Sequence, residues 1–255
     1  MTRPRAARWI IGLSASMLLG SGLGVLIRGA ELPSELIDLT GWKLTLPEDT
    51  DLPGRPDEIT SAALRRFRHP QFFFVADSGT GIVCRAPCGG FTTKASRYPR
   101  TELREMESDG RRLADWATDD GYTHTMSCTL AVTRTPDRKP HVACAQIHDA
   151  RDDLLMVRLE GRKLLVERNA QPDVVLDRSY ALGRPFDLEI RVEGGQVVVA
   201  YQGEPKLNWD VARRGCYFKA GCYTQSNREQ GDAPDSYGEV VIRQLRVTHV
   251  PTAAR

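Results

Sequence analysis

Surplus charge is the first thing the sequence lacks. In 255 residues, 35 Lys and Arg face 33 Asp and Glu, leaving a formal net charge of +2. A chain so nearly neutral does not hold nucleic acid or a membrane surface by bulk charge, so any grip on an anionic partner must come from local clustering. There is no phosphate-cradling glycine motif and no basic run suited to nucleic acid. The five histidines are not spaced as zinc ligands, so no metal is expected. No repeat of fixed period, low-complexity tract or Pro/Ser-rich linker divides the chain. With 41% hydrophobic and 27% charged residues, it reads as one soluble globular domain from about residue 31 to 255.

Long apolar runs are also scarce, with one exception. Arg3, Arg5 and Arg8 precede a stretch, residues 9–27, that carries no charge. A basic start before an apolar run marks export. The run is long for a cleaved leader and close to membrane-spanning length. Residues 1–30 are therefore expected to be a signal peptide or an N-terminal membrane anchor. Either way the domain works outside the cytoplasm, secreted or anchored, and is expected to be a monomer.

Six cysteines fit an oxidising compartment, and disulfides are expected. Six allow 15 connectivities. Cys128 and Cys144 flank the turn-like "TPDRKP" and could face each other across a hairpin. Cys84 and Cys88 enclose "RAP", where a proline turn could join them. Cys216 and Cys222 are too far apart to pair if they lie on one straight strand.

Most of the chain alternates or runs apolar in short segments bounded by Gly, Pro, Asn or Asp, among them "WKLTLP", "TMSCTLAV", "HVACAQIH" and "GEVVIRQLRVTHV". "EGGQ" at 193–196 reads as a tight hairpin turn. Only "PDEITSAALRRF" and "DVARR" look helical. The fold class is all-β, a sandwich or barrel.

Three stretches stand out for their polar faces. In "YFKAGCYTQ", Tyr217, Lys219, Gly221, Tyr223 and Gln225 share one side of a strand. In "YPRTELREM", Arg100, Glu102 and Arg104 share a side, with Thr101, Leu103 and Glu105 on the other. In "AQIHD", Gln146 and His148 share a side. Taken singly, these read as an amphipathic surface, a salt-bridge ladder and a stray histidine. His69, His124, His141 and His249 lack comparable neighbours. Brought together, the three would make a cationic, aromatic groove suited to an acidic sugar chain, with rings packing on sugar faces and Arg or Gln holding carboxylates.

"RTELRE", "QIH" and "YFKAGCYTQ", in that order, resemble the signature blocks of the alginate lyases of polysaccharide lyase family 7. "WKLTLP" and "KPHVACAQIHDA" fit the same family, and the likeness covers about residues 38–250. The resemblance implies a β-jelly roll of two antiparallel sheets with a substrate groove on the concave sheet. It implies Arg100, Gln146, His148 and Tyr223 as catalytic residues, and Glu102, Arg104, Tyr217, Lys219 and Gln225 as substrate-binding or supporting ones. Cys84 and Cys88 depart from the family pattern and suggest an added disulfide.

The implied reaction is β-elimination on alginate, leaving 4,5-unsaturated uronate ends, without a cofactor. Arg100 and Gln146 would neutralise the uronate carboxylate beside the C5 proton. Tyr223 would serve as acid, and as base on mannuronate (M), while His148 would be the base on guluronate (G). Lys219 lies on Tyr223's strand face, where a cation favours a phenolate, and Gly221 would leave room for a sugar ring. The isoleucine of "QIH" points to G-containing blocks, and endolytic action is expected. The alternatives are a lyase acting on another polyuronate such as glucuronan, or a non-catalytic jelly roll that binds acidic polysaccharide. A jelly-roll glycoside hydrolase would need two carboxylates across the scissile bond, and its Glu-x-Asp-x-x-Glu pattern is absent.

Overall fold

The computed structural model describes residues 30–94 and 96–252. The expected leader or anchor, residues 1–30, falls outside the described residues except for Ala30. Among the described residues no helix is long and apolar enough to cross a membrane.

The alternating segments become strands. β1 (Trp42–Thr45) and β2 (Glu58–Ile59) precede a one-turn helix, α1 (Ser61–Leu64). Then come β3 (Phe73–Val75), β4 (Ile82–Pro87), β5 (Arg100–Glu105) and β6 (Tyr122–Arg134). β7 (His141–His148), β8 (Asp153–Glu160), β9 (Lys163–Arg168) and β10 (Gln171–Asp177) follow. The chain closes with β11 (Phe186–Glu193), β12 (Gln196–Tyr201), β13 (Glu204–Asp210), β14 (Tyr217–Thr224) and β15 (Tyr237–Pro251).

These strands build two antiparallel sheets packed as a jelly-roll sandwich. One sheet has the order β10-β9-β8-β7-β14-β5-β1-β2 and the other β13-β12-β11-β6-β15-β4-β3. Leu103, Met126, Ile147, Phe218 and Ile242 are wholly buried between them. β11 shows the pattern of a strand with one wet face, since Phe186, Leu188, Ile190 and Val192 point inward and alternate with exposed residues. β14 differs: nearly every position is buried although one face is polar. Something other than the core covers that face.

The hairpin at 193–196 forms as expected. Glu193 pairs with Gln196, and Gly194 and Gly195 take φ of 56° and 79°, as a two-residue primed turn demands. The expected helices mostly do not form. The first is reduced to α1, where Thr60 caps Ala63 N–H and only Ser61 and Leu64 are buried. No apolar stripe continues to hold a second turn. At "DVARR", Asp210 ends β13 and no helix follows.

The disulfides do not form either, and all six cysteines are free and buried. "TPDRKP" crosses from one sheet to the other rather than closing a hairpin, because β6 and β7 belong to different sheets. Cys144 donates instead to the Val157 carbonyl at 3.4 Å. Cys84 lies within extended β4 and Cys88 one residue past its end, a span too long for a bridge. Cys216 and Cys222 stay unpaired, as the strand spacing indicates. Burial raises every one of these thiols, to about 12 for Cys88, Cys128 and Cys216, and raises those of Cys84, Cys144 and Cys222 well above the ordinary thiol value.

Gly221, expected to clear space for a sugar, has a backbone role of its own. Against β7, β14 slips register between Ala220, which faces Ala145, and Tyr223, which faces Ala143. Gly221 lies in this bulge with φ of 145°. A Cβ there would stand 2.5 Å from the Thr101 carbonyl oxygen and 2.8 Å from Glu102 Cα. Only glycine lets β5 pass so close.

Candidate active site

The three polar stretches meet on one face. β14 lies between β5 and β7. On one side Tyr223 pairs with Arg100, Gly221 with Glu102 and Lys219 with Arg104. On the other, Lys219 pairs with Gln146 and Tyr217 with His148. Directly opposed residues share a face, so the bulky polar groups of all three strands form a single strip on the outer face of the eight-stranded sheet. This carpet is what buries β14 from outside. Two hydrogen bonds fix the strip to the other sheet: Thr101 donates to the Arg85 carbonyl at 2.6 Å, and Thr224 to that of Ala86 at 2.8 Å.

Glu102 is the hub. Its carboxylate accepts from Arg100 Nη1 at 2.9 Å, from Gln146 Nε2, and from Lys219 Nζ at 3.1 Å. Its side chain is 3% exposed and that of Lys219 6%. Burial pushes the Glu102 carboxyl up, but Lys219 and Arg100 beside it prevail and hold it below the usual range. Burial likewise brings Lys219 down to about 8, with Glu102 opposing and Arg100 and Arg104 assisting. Arg100, Arg104 and Lys219 thus stand against one carboxylate, and the strip keeps an excess of positive charge.

Two clusters flank this hub. At one end the Arg100 guanidinium lies 3.8 Å from the centre of the Tyr223 ring, and Tyr223 Oη is 2.9 Å from Ser96 Oγ. At the other end Tyr217 Oη takes a hydrogen bond from Arg104 and is 2.8 Å from His148 Nδ1. The His148 and Tyr217 rings stack at 5.2 Å. His148 Nδ1 is also 2.6 Å from the Asp149 carbonyl oxygen. A carbonyl can only accept, which assigns the hydrogen to Nδ1 and leaves Nε2 as the free acceptor. Burial and the nearby Lys219 bring His148 down to about 4, so the ring is neutral near pH 7. Burial raises Tyr217 against the pull of Arg104.

All nine residues singled out in the sequence lie on this strip or at its end. Direct contacts join Arg100 to Tyr223 and His148 to Tyr217, but none joins His148 to Tyr223. Tyr217 and Tyr223 lie six positions apart along β14, so these two groups approach the hub from opposite ends. Gln225 sits past Tyr223; its backbone N–H donates to the His141 carbonyl at 3.1 Å, and its buried Nε2 has no partner.

Two features escape sequence reasoning. Behind the strip, Glu105 accepts from Phe218 N at 2.8 Å and Trp116 Nε1 at 3.1 Å, tying β5 to β14. It also meets His249 Nε2 at 2.6 Å, His249 meets His124 Nδ1 to Nδ1 at 2.7 Å, and His124 Nε2 meets Asp120 at 3.0 Å. His124 and His249 therefore have close partners after all. A signal existed, since Glu105 falls on the core face of its strand, where a carboxylate needs partners. The second feature is Tyr98, whose ring lies 6.4 Å from that of Tyr223 and whose hydroxyl accepts from Lys139 Nζ at 3.1 Å.

Comparison with known proteins agrees with this architecture. A family model described as alginate lyase matches residues 37–249. An alginate lyase of Klebsiella pneumoniae is 26% identical, over 85% of this chain and 91% of its own length. Among solved structures, the alginate lyase AlgAT5 of polysaccharide lyase family 7 is 47% identical, with a TM-score of 0.81 over 86% of this chain and 98% of its own. A variant of the family 7 alginate lyase A1-II′, solved with a substrate denoted GGMG, is 26% identical, with a TM-score of 0.76 over 89% of this chain and all of its own.

Proposed function

The chain belongs to the alginate lyase family, and from that membership we propose how its own residues divide the reaction. The protein is a polysaccharide lyase that cleaves alginate by β-elimination. The observation that carries the division of labour is the strip itself, where Arg100, Gln146, His148 and Tyr223 share one outward face around a saturated carboxylate.

The difficulty of the reaction is the acidity of C5–H. Its carbon bears a carboxylate whose charge opposes formation of a carbanion. Arg100 and Gln146, both fixed by Glu102, hold that carboxylate and stabilise the enolate-like charge as it grows. Preorganised donors of this kind are worth about 3–4 kcal/mol each. Arg104 and Lys219 keep the strip positive for a polyanion, and Gln225 and Tyr217 extend the contact surface.

A uronate lying over the hub would meet His148 Nε2 from one end and Tyr223 Oη from the other. That arrangement suits the two epimers, whose C5 protons leave from opposite faces. His148 takes the proton of guluronate, being neutral and having its acceptor free. Tyr223 takes that of mannuronate, with the Arg100 guanidinium held 3.8 Å from its ring centre, and passes a proton to the departing O4. Glu102 is the one carboxylate on the strip and is occupied by three donors, which disfavours a two-carboxylate hydrolase.

The finer reading is endolytic cleavage with activity on G-containing blocks. Ile147 in "QIH" and the relative solved with GGMG support it. We also place the activity outside the cytoplasm, secreted or anchored by residues 1–30, because Arg3, Arg5 and Arg8 precede a charge-free run. The edge strands β2 and β3 are only two and three residues long, and the longer edges β10 and β13 carry Pro172 and Pro205 with Lys206; such features resist edge pairing and favour a monomer.

The test is ultraviolet absorbance of unsaturated products from M-rich, G-rich and mixed alginate, with product sizing. Wild type is expected to cleave all three internally. Tyr223→Phe is expected to lose about 10²–10⁴ in kcat, the range of general acid–base help. Near-normal turnover by that variant would refute the assignment.

A further inference from the structure

Beyond Tyr223 the strip does not end in solvent. Tyr98 precedes β5 and tilts against Tyr223 at 60° between ring planes. Lys139 precedes β7 and sits with Nζ 3.1 Å from Tyr98 Oη and 4.9 Å from its ring centre. No carboxylate among the described residues lies within ion-pair distance of this ammonium, whereas Lys219 and Arg100 are tied to Glu102.

The position of Lys139 is built, not incidental. Asp232 is 3% exposed and accepts from the backbone N–H of Arg138 at 2.8 Å and of Lys139 at 3.0 Å. Ser226 and Ser236 donate to the same carboxylate. A buried anion thus clamps the short segment that carries Lys139. At the same end lies Gln225, 6% exposed, whose Nε2 is a buried donor without a partner. Its backbone N–H bonds the carbonyl of His141, two residues after Lys139. Buried polar groups are nearly always satisfied, so an orphan donor at the same end of the strip as a pinned cation without an ion-pair partner points to an anionic ligand.

We propose that Tyr98 and Lys139, with Gln225, form a separate subsite that grips the carboxylate of a neighbouring uronate on the Tyr223 side of the cleaved bond. Lys139 supplies the charge, and Tyr98 holds that ammonium and offers its ring to the sugar. The opposite end of the strip is lined differently: the turn after His148 carries Asp149, Arg151 and Asp152, and Asp149 is paired with Arg213 at 3.6 Å, so charges of both signs stand there. The grip on the Tyr223 side fixes the reach of the chain beyond the reacting sugar. This subsite rests on the lyase reading above for the identity of its ligand.

The test compares wild type, Lys139→Met, Lys139→Arg and Tyr98→Phe on alginate oligomers of increasing length, with thermal melts confirming that each folds. Lys139→Met is expected to raise KM for long oligomers about tenfold, the scale of one charge-assisted contact. It should also flatten the salt dependence of kcat/KM and leave the shortest cleavable oligomer least affected. Lys139→Arg should restore most of the loss. A Lys139→Met variant with the wild-type KM and salt slope overturns the subsite. Calorimetric binding of a long oligomer to Tyr223→Phe, with and without Lys139→Met, reads the same contact without turnover. If wild type released no unsaturated product, the lyase reading would fall, while the binding comparison would still decide the subsite.

Discussion

Replacing Glu102 by glutamine isolates the work of the central carboxylate. The amide keeps the volume and removes the charge. Arg100 Nη1 and Lys219 Nζ then lose the anion that lies 2.9 Å and 3.1 Å away. Deleting one partner of a buried pair typically costs about 3–5 kcal/mol. Here the protein can shed part of that cost. Lys219 already titrates at about 8, so discharging it at pH 7 costs about one pH unit, or ~1.4 kcal/mol. Glu102 is the group that opposes this descent, so in the variant the discharge is easier still. The expected destabilisation at pH 7 is therefore about 1–3 kcal/mol, below the full cost of an orphaned charge. Its pH dependence carries a definite sign. In the variant Lys219 loses its proton at a lower pH than in wild type. Between those two values the variant's unfolded chain holds a proton that its folded form lacks, while folded wild type still holds it. Raising the pH through this window therefore strengthens the variant relative to wild type, and above about pH 8 the gap is constant. Urea melts of both proteins between pH 6 and 9 measure it. A gap that is flat throughout, or that widens with pH, refutes the reasoning. Activity should fall as well, by about 10²-fold in kcat/KM, because Arg100 and Gln146 lose their common anchor.

Two further outcomes follow from the same geometry. Gly221→Ala puts a Cβ against the Thr101 carbonyl and forces a φ of 145° on an alanine; the expected loss is about 1–3 kcal/mol from backbone strain alone, and an unchanged melting temperature would contradict it. His148 titrates at about 4 when folded and near 6.5 when unfolded. Unfolding thus takes up a proton between those values, and stability falls on acidification across that window by at most about 1.4 kcal/mol per pH unit, less because the ring is partly exposed. Activity on G-rich substrate should hold through pH 6 and fall toward pH 4, and His148→Asn should remove this acid limb of the stability curve.

Much of this was legible in the chain because strands impose a period of two. Arg100, Glu102 and Arg104 had to share a face, as did Gln146 with His148 and Tyr217 with Lys219, whatever their neighbours. Which strands would adjoin was a separate matter, and there the ordered blocks of a known family did what periodicity cannot. What stayed hidden depended on contacts distant in sequence. Nothing local to Glu105 reveals His249, which arrives from the far end of the chain, and nothing near Lys139 reveals Tyr98. The disulfide expectation failed for a related reason: spacing along the chain says little once "TPDRKP" turns out to bridge two sheets. Gly221 was noticed, but its cause lay in the neighbouring backbone.

The placement of the last two strands has a consequence for how the molecule comes into being. β14 and β15 come last in chain order among the described strands, yet each stands inside its sheet, β14 between β7 and β5 and β15 between β6 and β4. Until the ribosome has delivered them, each sheet exists as two leaves that no strand pairing joins. Closing such distant contacts is slow, because the chain must be ordered over its whole length before they form. A nascent chain stopped before Tyr217 would carry Arg100 and His148 on unconnected pieces. The catalytic surface is thus assembled only once β14 has been made and has closed the gap between β5 and β7.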